Sequence, residues 1–164
     1  RRLNLSQDEL AVLHRAALLH DIGKVGIPNR ILDKPAKLTF EEFEVIKTHP
    51  DKGARILEPI ISYSAALPIV HQHHEKFDGS GYPNRLSGDN IHLGARILAV
   101  ADVFDAMVAN RPYRMGLELN DVLRYIREGA QSHFDPEVVK AFLTVVSTQE
   151  GLLEMFDKKV SAKP

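Results

Sequence analysis

The chain has 164 residues, 44% of them hydrophobic and 26% charged, which is ample for one buried core and argues against disorder. Its net charge of -1 excludes the global basic field that polymeric nucleic acid or an anionic membrane surface would require, so any phosphate recognition must come from a few placed cations. The lack of Cys excludes disulfides and thiolate metal sites and fits a reducing cytoplasm, whereas 8 His leave a nitrogen and oxygen metal site open. No apolar run approaches the ~20 residues of a membrane span, and no signal peptide is visible. The opening Arg1-Arg2 without an initiator Met leads us to expect a piece of a longer protein.

Ser6-Gln7-Asp8-Glu9 has the spacing of a capping box and starts a helix whose apolar stripe includes Leu10, Leu13, Ala17 and Leu18. That helix should deliver His20 and Asp21 at its C-terminal end, where Gly23 can stop it. A loop marked by Pro28 and Lys34-Pro35-Ala36-Lys37 follows. Thr39-Phe40-Glu41-Glu42 is a second capping box, and its helix is expected to run to Thr48-His49-Pro50, because Pro50 disfavours helical geometry at His49. A segment with Ala54, Ile56 and Leu57 breaks at Pro59, and a further helix is predicted over 63–74. Residues 75–90 change to loop chemistry around Asp78-Gly79-Ser80-Gly81-Tyr82-Pro83-Asn84. A long buried helix is predicted over 91–109, then a basic, aromatic loop at Arg111-Pro112-Tyr113-Arg114. Asn120 is read as the cap of the next helix, and Asp135-Pro136 as cap and first turn of the last. No segment alternates as a strand does. The expectation is an all-α fold in a single compact domain, its core over about 6–146 and a peripheral segment over 147–164.

Several polar residues stand where the surrounding sequence is apolar or turn-like: His20-Asp21, His49, His73-His74 and Asp102. An acid inside Ala99-Val100-Ala101-Asp102-Val103-Phe104 must be paired, protonated or metal-bound. Consecutive side chains on a helix diverge by roughly 100°, so an adjacent pair can serve two neighbouring ions or one lying between its directions. Imidazole and carboxylate without thiolate suit Fe, Mn, Zn, Ni or Co better than Ca, and the spacing does not choose among them. The plainer reading of each residue is a satisfied buried hydrogen bond. Lys24 as a solvated cation, Arg111 and Arg114 as a salt-bridged surface loop, and Tyr82 as packing for its Gly-rich loop are the corresponding plain readings elsewhere. His14, His71 and His92 are assigned no part in a site, and His133 is expected to organise a turn.

HDIGK at 20–24, KTHP at 47–50, HHEKFDGSGYP at 73–83, ARILAVADVFDAM at 95–107 and RPYR at 111–114 occur in that order. Together they resemble the HD-GYP family, a branch of the HD metal-dependent phosphohydrolases, over about 16–142. The resemblance implies an HD-type helical domain with a metal centre in its core, usually iron or manganese. It implies hydrolysis of the bacterial messenger cyclic di-GMP to pGpG and often GMP, by a water activated between two metals. Carried over residue by residue, it makes His20, Asp21, His49, His73, His74 and Asp102 the metal ligands, with Asp21 the bridging and catalytic carboxylate. Lys24 would serve catalysis and substrate binding at the scissile phosphate, Tyr82 would reach the substrate, and Arg111 and Arg114 would hold its phosphates. Asp105 and Glu75 would orient their neighbours. Family members carry a further His, and in three-metal members a Glu, on a helix upstream of HDIGK. This chain begins after that helix, and His14 is misplaced to substitute, so a two-metal site and a missing upstream helix and regulatory domain are expected. Two alternatives stand beside this reading. One is the same chemistry on another cyclic dinucleotide or phosphoester. The other is a signalling module that binds diguanylate cyclase-type partners through the loop around Gly81-Tyr82-Pro83.

Overall fold

The computed structural model describes residues 3–109 and 115–148. Eight α-helices carry the fold among them: α1 (Gln7–Leu19), α2 (Asn29–Leu32), α3 (Phe40–Ile46), α4 (His49–Leu57), α5 (Leu67–Gln72), α6 (Leu93–Val108), α7 (Leu119–Glu128) and α8 (Pro136–Thr148). Short 3-10 turns at Ile22–Gly26, Ile61–Ala66 and Gly88–Asn90 complete it. No strand forms among the described residues; Asp78 with Ser87 and Ala130 with Phe134 are isolated bridges.

Both capping boxes close reciprocally. Ser6 Oγ accepts from Glu9 N while Glu9 takes Ser6 N at 2.7 Å, and Thr39 and Glu42 repeat the exchange at the start of α3. At α8, Asp135 Oδ1 accepts the amides of Glu137 and Val138, and its Oδ2 holds Arg96 Nη1 at 2.7 Å. Three expected boundaries fall elsewhere. Pro50 sits in the first turn of α4, where its missing N–H costs nothing, so it begins a helix at His49 and does not end one. The helix expected over 63–74 is a 3-10 turn followed by α5, because Pro68 again takes a first-turn position and resets the start. Asn120 lies inside α7, which begins at Leu119 after Glu118 with no side-chain cap.

The core has two parts that share α6. Ala95 and Leu98 of α6 pack with Ala16, Leu57, Ile69 and Val70 from α1, α4 and α5. One turn further on, Val100, Phe104 and Val108 pack with Val122, Ile126, Val138 and Val139 from α7 and α8. A helix apolar on so much of its circumference must be covered on more than one side, and the two clusters supply that cover. The first cluster fixes the relative placement of α1, α4, α5 and α6, the elements whose ends and faces carry the conspicuous His and Asp residues.

Candidate metal centre

His20-Asp21 and His73-His74 both lie just past the last turn of a helix, α1 and α5 respectively. His20 and His73 still have right-handed helical backbone there, so the first residue of each pair leaves its helix without a break. The rings of His73 and His74 lie at a centroid separation of 4.0 Å. His49 arrives on the first residue of α4, and Asp102 from the middle of α6. The ligand atoms of Asp21, His49, His73 and His74 all lie within 4.8 Å of one another.

Three of these imidazoles are oriented in the same way. Nδ1 of His20, His49 and His73 lies 2.7–2.8 Å from the carbonyl oxygen three residues earlier, of Ala17, Ile46 and Val70. A carbonyl can only accept, so each Nδ1 carries the proton and each Nε2 turns inward. The inward atoms crowd: His49 Nε2 is 3.3 Å from His73 Nε2 and 3.3 Å from Asp21 Oδ1. With both Nδ1 atoms protonated, the neutral rings direct lone pairs at one another and at a carboxylate oxygen. Asp21 Oδ1 is buried and has no hydrogen-bond partner. A donor set of facing lone pairs around an orphaned carboxylate oxygen fits a cation.

The other oxygen of Asp21 faces a different group. Oδ2 lies 3.4 Å from His20 Nε2 and 2.6 Å from Lys24 Nζ, and His20 Nε2 is 3.6 Å from Asp102 Oδ1. Asp21 thus presents one oxygen to His49 and the other to His20. The structure brings all six expected ligands into one contiguous cluster, Asp102 through His20.

Electrostatics divide the cluster along the same line. Burial opposes charge on His20, but the carboxylates of Asp102 and Asp21 overcome it and carry its pKa up to about 10. Burial likewise opposes charge on Asp21, yet His20 and Lys24 hold it well below the carboxylate range. His20 also lowers Asp102. On the other side burial dominates: His73 falls to about 4, His74 to about 3, and His49 also drops. Those rings are neutral at physiological pH, the state that ligates a metal.

The loop of residues 75–90 walls this cluster, and the residue that holds it is one the sequence placed elsewhere. Glu75 was expected to orient the His pair. It is 3% exposed and instead accepts the amides of Asn84 at 2.6 Å and Leu86 at 3.1 Å. Two backbone donors on a buried carboxylate close the loop onto the chain that carries the ligands. Gly81 is required there, because a Cβ would stand 2.2 Å from Lys76 N and 2.5 Å from Glu75 Cα. Tyr82 N then bonds His74 O, and its ring stacks on His74 at 4.8 Å. The signal for Glu75 in the sequence was its position beside a loop rich in Gly, where backbone amides need acceptors.

Asp105 is exposed on α6, and no hydrogen bond among the described residues ties its carboxylate to the cluster. Arg111 and Arg114 lie outside the described residues. His14 is exposed; His71 Nε2 pairs with Asp51 at 2.6 Å; His92 Nδ1 accepts from Gly94 N at the start of α6. His133 O accepts Phe77 N, joining its turn to the loop.

An all-helical domain with a His and Asp cluster in its core is the architecture of HD phosphohydrolases, and comparison agrees. The HD domain family matches residues 1–138. The chain belongs to the HD domain family, in its HD-GYP branch. A cyclic di-GMP phosphodiesterase of Vibrio cholerae is 46% identical over 83% of this chain and 29% of its own length. A 3'3'-cGAMP-specific phosphodiesterase of the same organism is 41% identical over 86% of this chain and 31% of its own. Among solved structures, an HDG"Y"P protein from Bdellovibrio bacteriovorus superposes with a TM-score of 0.69 at 18% identity, over 88% of this chain and 46% of that one. The chain spans less than half the length of these relatives. HD phosphohydrolases are metal-dependent, and the described residues include a group around Asp21 that can hold metal.

Proposed function

We propose that this domain is a phosphodiesterase that hydrolyses cyclic di-GMP to pGpG, GMP or both, using two divalent transition-metal ions held by His20, Asp21, His49, His73, His74 and Asp102. The observation that carries the reading is Asp21, with Oδ1 orphaned among the Nε2 atoms of His49 and His73 and Oδ2 turned to His20. A carboxylate placed in this way suits a bridge between two cations. Iron or manganese is the expected metal, by family resemblance. Bound there, the metals would supply Lewis acidity to a phosphoryl oxygen and acidify water. The names of the relatives support the substrate class.

The remaining work falls to the protein's own groups. Lys24 stands on Asp21 Oδ2 with its side chain 41% exposed, a place from which its ammonium can also meet an incoming phosphate. Tyr82, whose ring stacks on His74, is assigned to contact the substrate. Arg111 and Arg114 hold the dinucleotide's phosphates. A second reading, 3'3'-cGAMP as the substrate, is favoured by the relatives of that name at 39–41% identity.

The test is elemental analysis of protein purified anaerobically without added metal, followed by hydrolysis assays on cyclic di-GMP and 3'3'-cGAMP. About two transition-metal ions per chain with pGpG or GMP released supports the proposal. Faster turnover of 3'3'-cGAMP transfers the assignment to that substrate. No metal, and none taken up from iron or manganese, overturns it.

A further inference from the structure

Beside the metal cluster lies a cavity of about 510 Å³ between α2, the loop that follows it, and α3. That volume is within the ~300–1,000 Å³ usual for small-molecule sites. Two of its lining residues also belong to the cluster's supports. Lys24 lines it, 2.6 Å from Asp21 Oδ2, and so does Ile46, whose carbonyl takes the Nδ1 proton of His49. The cavity is thus one side chain away from the metal ligands.

Its lining combines an aliphatic wall with cations. Ile31, Leu32, Pro35 and Leu38 supply the wall, with Leu32 39% exposed, and Lys34 and Lys37 join Lys24. Two of these charges are already compensated: Lys24 by Asp21, and Lys34 by Glu42 at 2.5 Å. Lys37 has no carboxylate within ion-pair distance among the described residues. A bare phosphate would have no use for the aliphatic wall, and an apolar ligand would have none for the ammonium. A purine suits both, with a flat face for the wall and acceptor atoms on its edge, N7 in either base and O6 in guanine.

We infer that this cavity holds one purine base of the cyclic dinucleotide, with Lys37 donating to the base's acceptor edge. The inference rests on the proposed substrate class and adds the place where specificity is exercised. A base attached to the nucleotide whose phosphate lies at the cluster would reach the cavity past Lys24.

The test is steady-state kinetics of the metal-loaded chain with Ala36→Phe and Lys37→Ala. Ala36 lines the cavity on an exposed loop, so a larger side chain there can fill the space without entering the core. Each variant is assayed on cyclic di-GMP and on bis(4-nitrophenyl) phosphate, which has no purine. Ala36→Phe should raise KM for cyclic di-GMP about tenfold or more, on the scale of one lost pocket contact, and Lys37→Ala about fivefold. Turnover of bis(4-nitrophenyl) phosphate should stay within about twofold of wild type in both. Equal losses on the two substrates, or no change on either, overturn the subsite while leaving the substrate assignment intact. A wild type that cleaves bis(4-nitrophenyl) phosphate but not cyclic di-GMP overturns the substrate and the subsite together. A wild type that cleaves neither overturns the metal reading as well.

Discussion

Gly23 offers the sharpest test of how the backbone builds the metal cluster. It is buried in the 3-10 turn just after Asp21, and that turn lies directly on α4. A Cβ at this position would stand 1.9 Å from the carbonyl oxygen of His49 and 2.5 Å from Gly53 N. Both are backbone atoms, so no side chain can swing aside. To reach even 3.0 Å from His49 O, a gap of at least 1.1 Å must open between the segment carrying Asp21 and the helix carrying His49. Overpacking of this kind costs about 3 kcal/mol at the upper end of its range, which for a domain of this size lowers Tm by roughly 6–12 °C. The contact of 3.3 Å between Asp21 Oδ1 and His49 Nε2 must widen with the gap, and a misplacement of ~1 Å in a catalytic constellation costs about a hundredfold in rate. Gly23→Ala should therefore lose thermal stability, bound metal and turnover together. Gly26→Ala is the control in the same turn, because its Cβ would meet only the side chain of Lys52, at 3.0 Å. It should stay within about 2 °C of wild type. The measurements are thermal melts by circular dichroism and elemental analysis of the purified chains. A Gly23→Ala protein with wild-type Tm and metal content would refute the argument that backbone contact here sets the cluster.

Asp21→Ala should lose metal and activity together, because it removes the only carboxylate that faces both His49 and His20 among the described residues; full metal content with normal turnover would show that Asp21 does not bridge. Glu75→Ala leaves the amides of Asn84 and Leu86 without their acceptor and should cost about 2–4 kcal/mol in urea unfolding, with Glu75→Gln costing less because one oxygen remains. Equal costs for the two variants would mean that packing, not the hydrogen bonds, sets the effect. Without metal, His20 keeps its proton up to about pH 10 against an ordinary 6.5, so the stability this pairing contributes is full below pH 6.5 and is lost as pH rises through 10. Metal at Nε2 must displace that proton, whereas His73 and His74, at about 4 and 3, have none to give at neutral pH. Manganese binding at pH 7 should therefore release about one proton per chain, and apparent affinity should rise about tenfold per pH unit up to pH 9. Calorimetry in buffers of different ionisation enthalpy reads the release directly, and zero release would exclude His20 as a ligand.

Local signals that use few residues survived from sequence to structure. The boxes at Ser6 and Thr39 and the cap at Asp135 need only a side chain and an amide within one turn, and all three form. Pro50 and Pro68 were harder, since a proline can end one helix or begin another and only tertiary packing selects between these. Asn120 failed because Glu118 and Leu119 already begin α7. The cluster was legible because an Asp inside an apolar helix and adjacent His and Asp residues are expensive without a partner. What was not legible was the assignment of oxygens and nitrogens: that Asp21 divides its two oxygens, that Lys24 stands on one of them, and that Glu75 serves the loop and not the imidazoles. Those are facts of side-chain direction, which residue spacing leaves open.

The anchoring of the imidazoles shows how the helix ends aim the cluster inward. Each of His20, His49 and His73 is held through Nδ1 by a carbonyl at a helix end, an acceptor that would otherwise lack an intrahelical partner. One bond therefore satisfies the helix terminus and aims Nε2 inward, and in the neutral rings of His49 and His73 it also selects the tautomer. The same bonds prevent His49 and His73 from relieving their 3.3 Å contact by exchanging a proton between facing nitrogens, because the Nδ1 protons are committed outward. The packing of Ala16, Leu57, Ile69 and Val70 fixes in place the helices that carry these rings. A cation among these atoms would give the buried Asp21 Oδ1 a partner, so metal affinity and fold stability would draw on the same contacts.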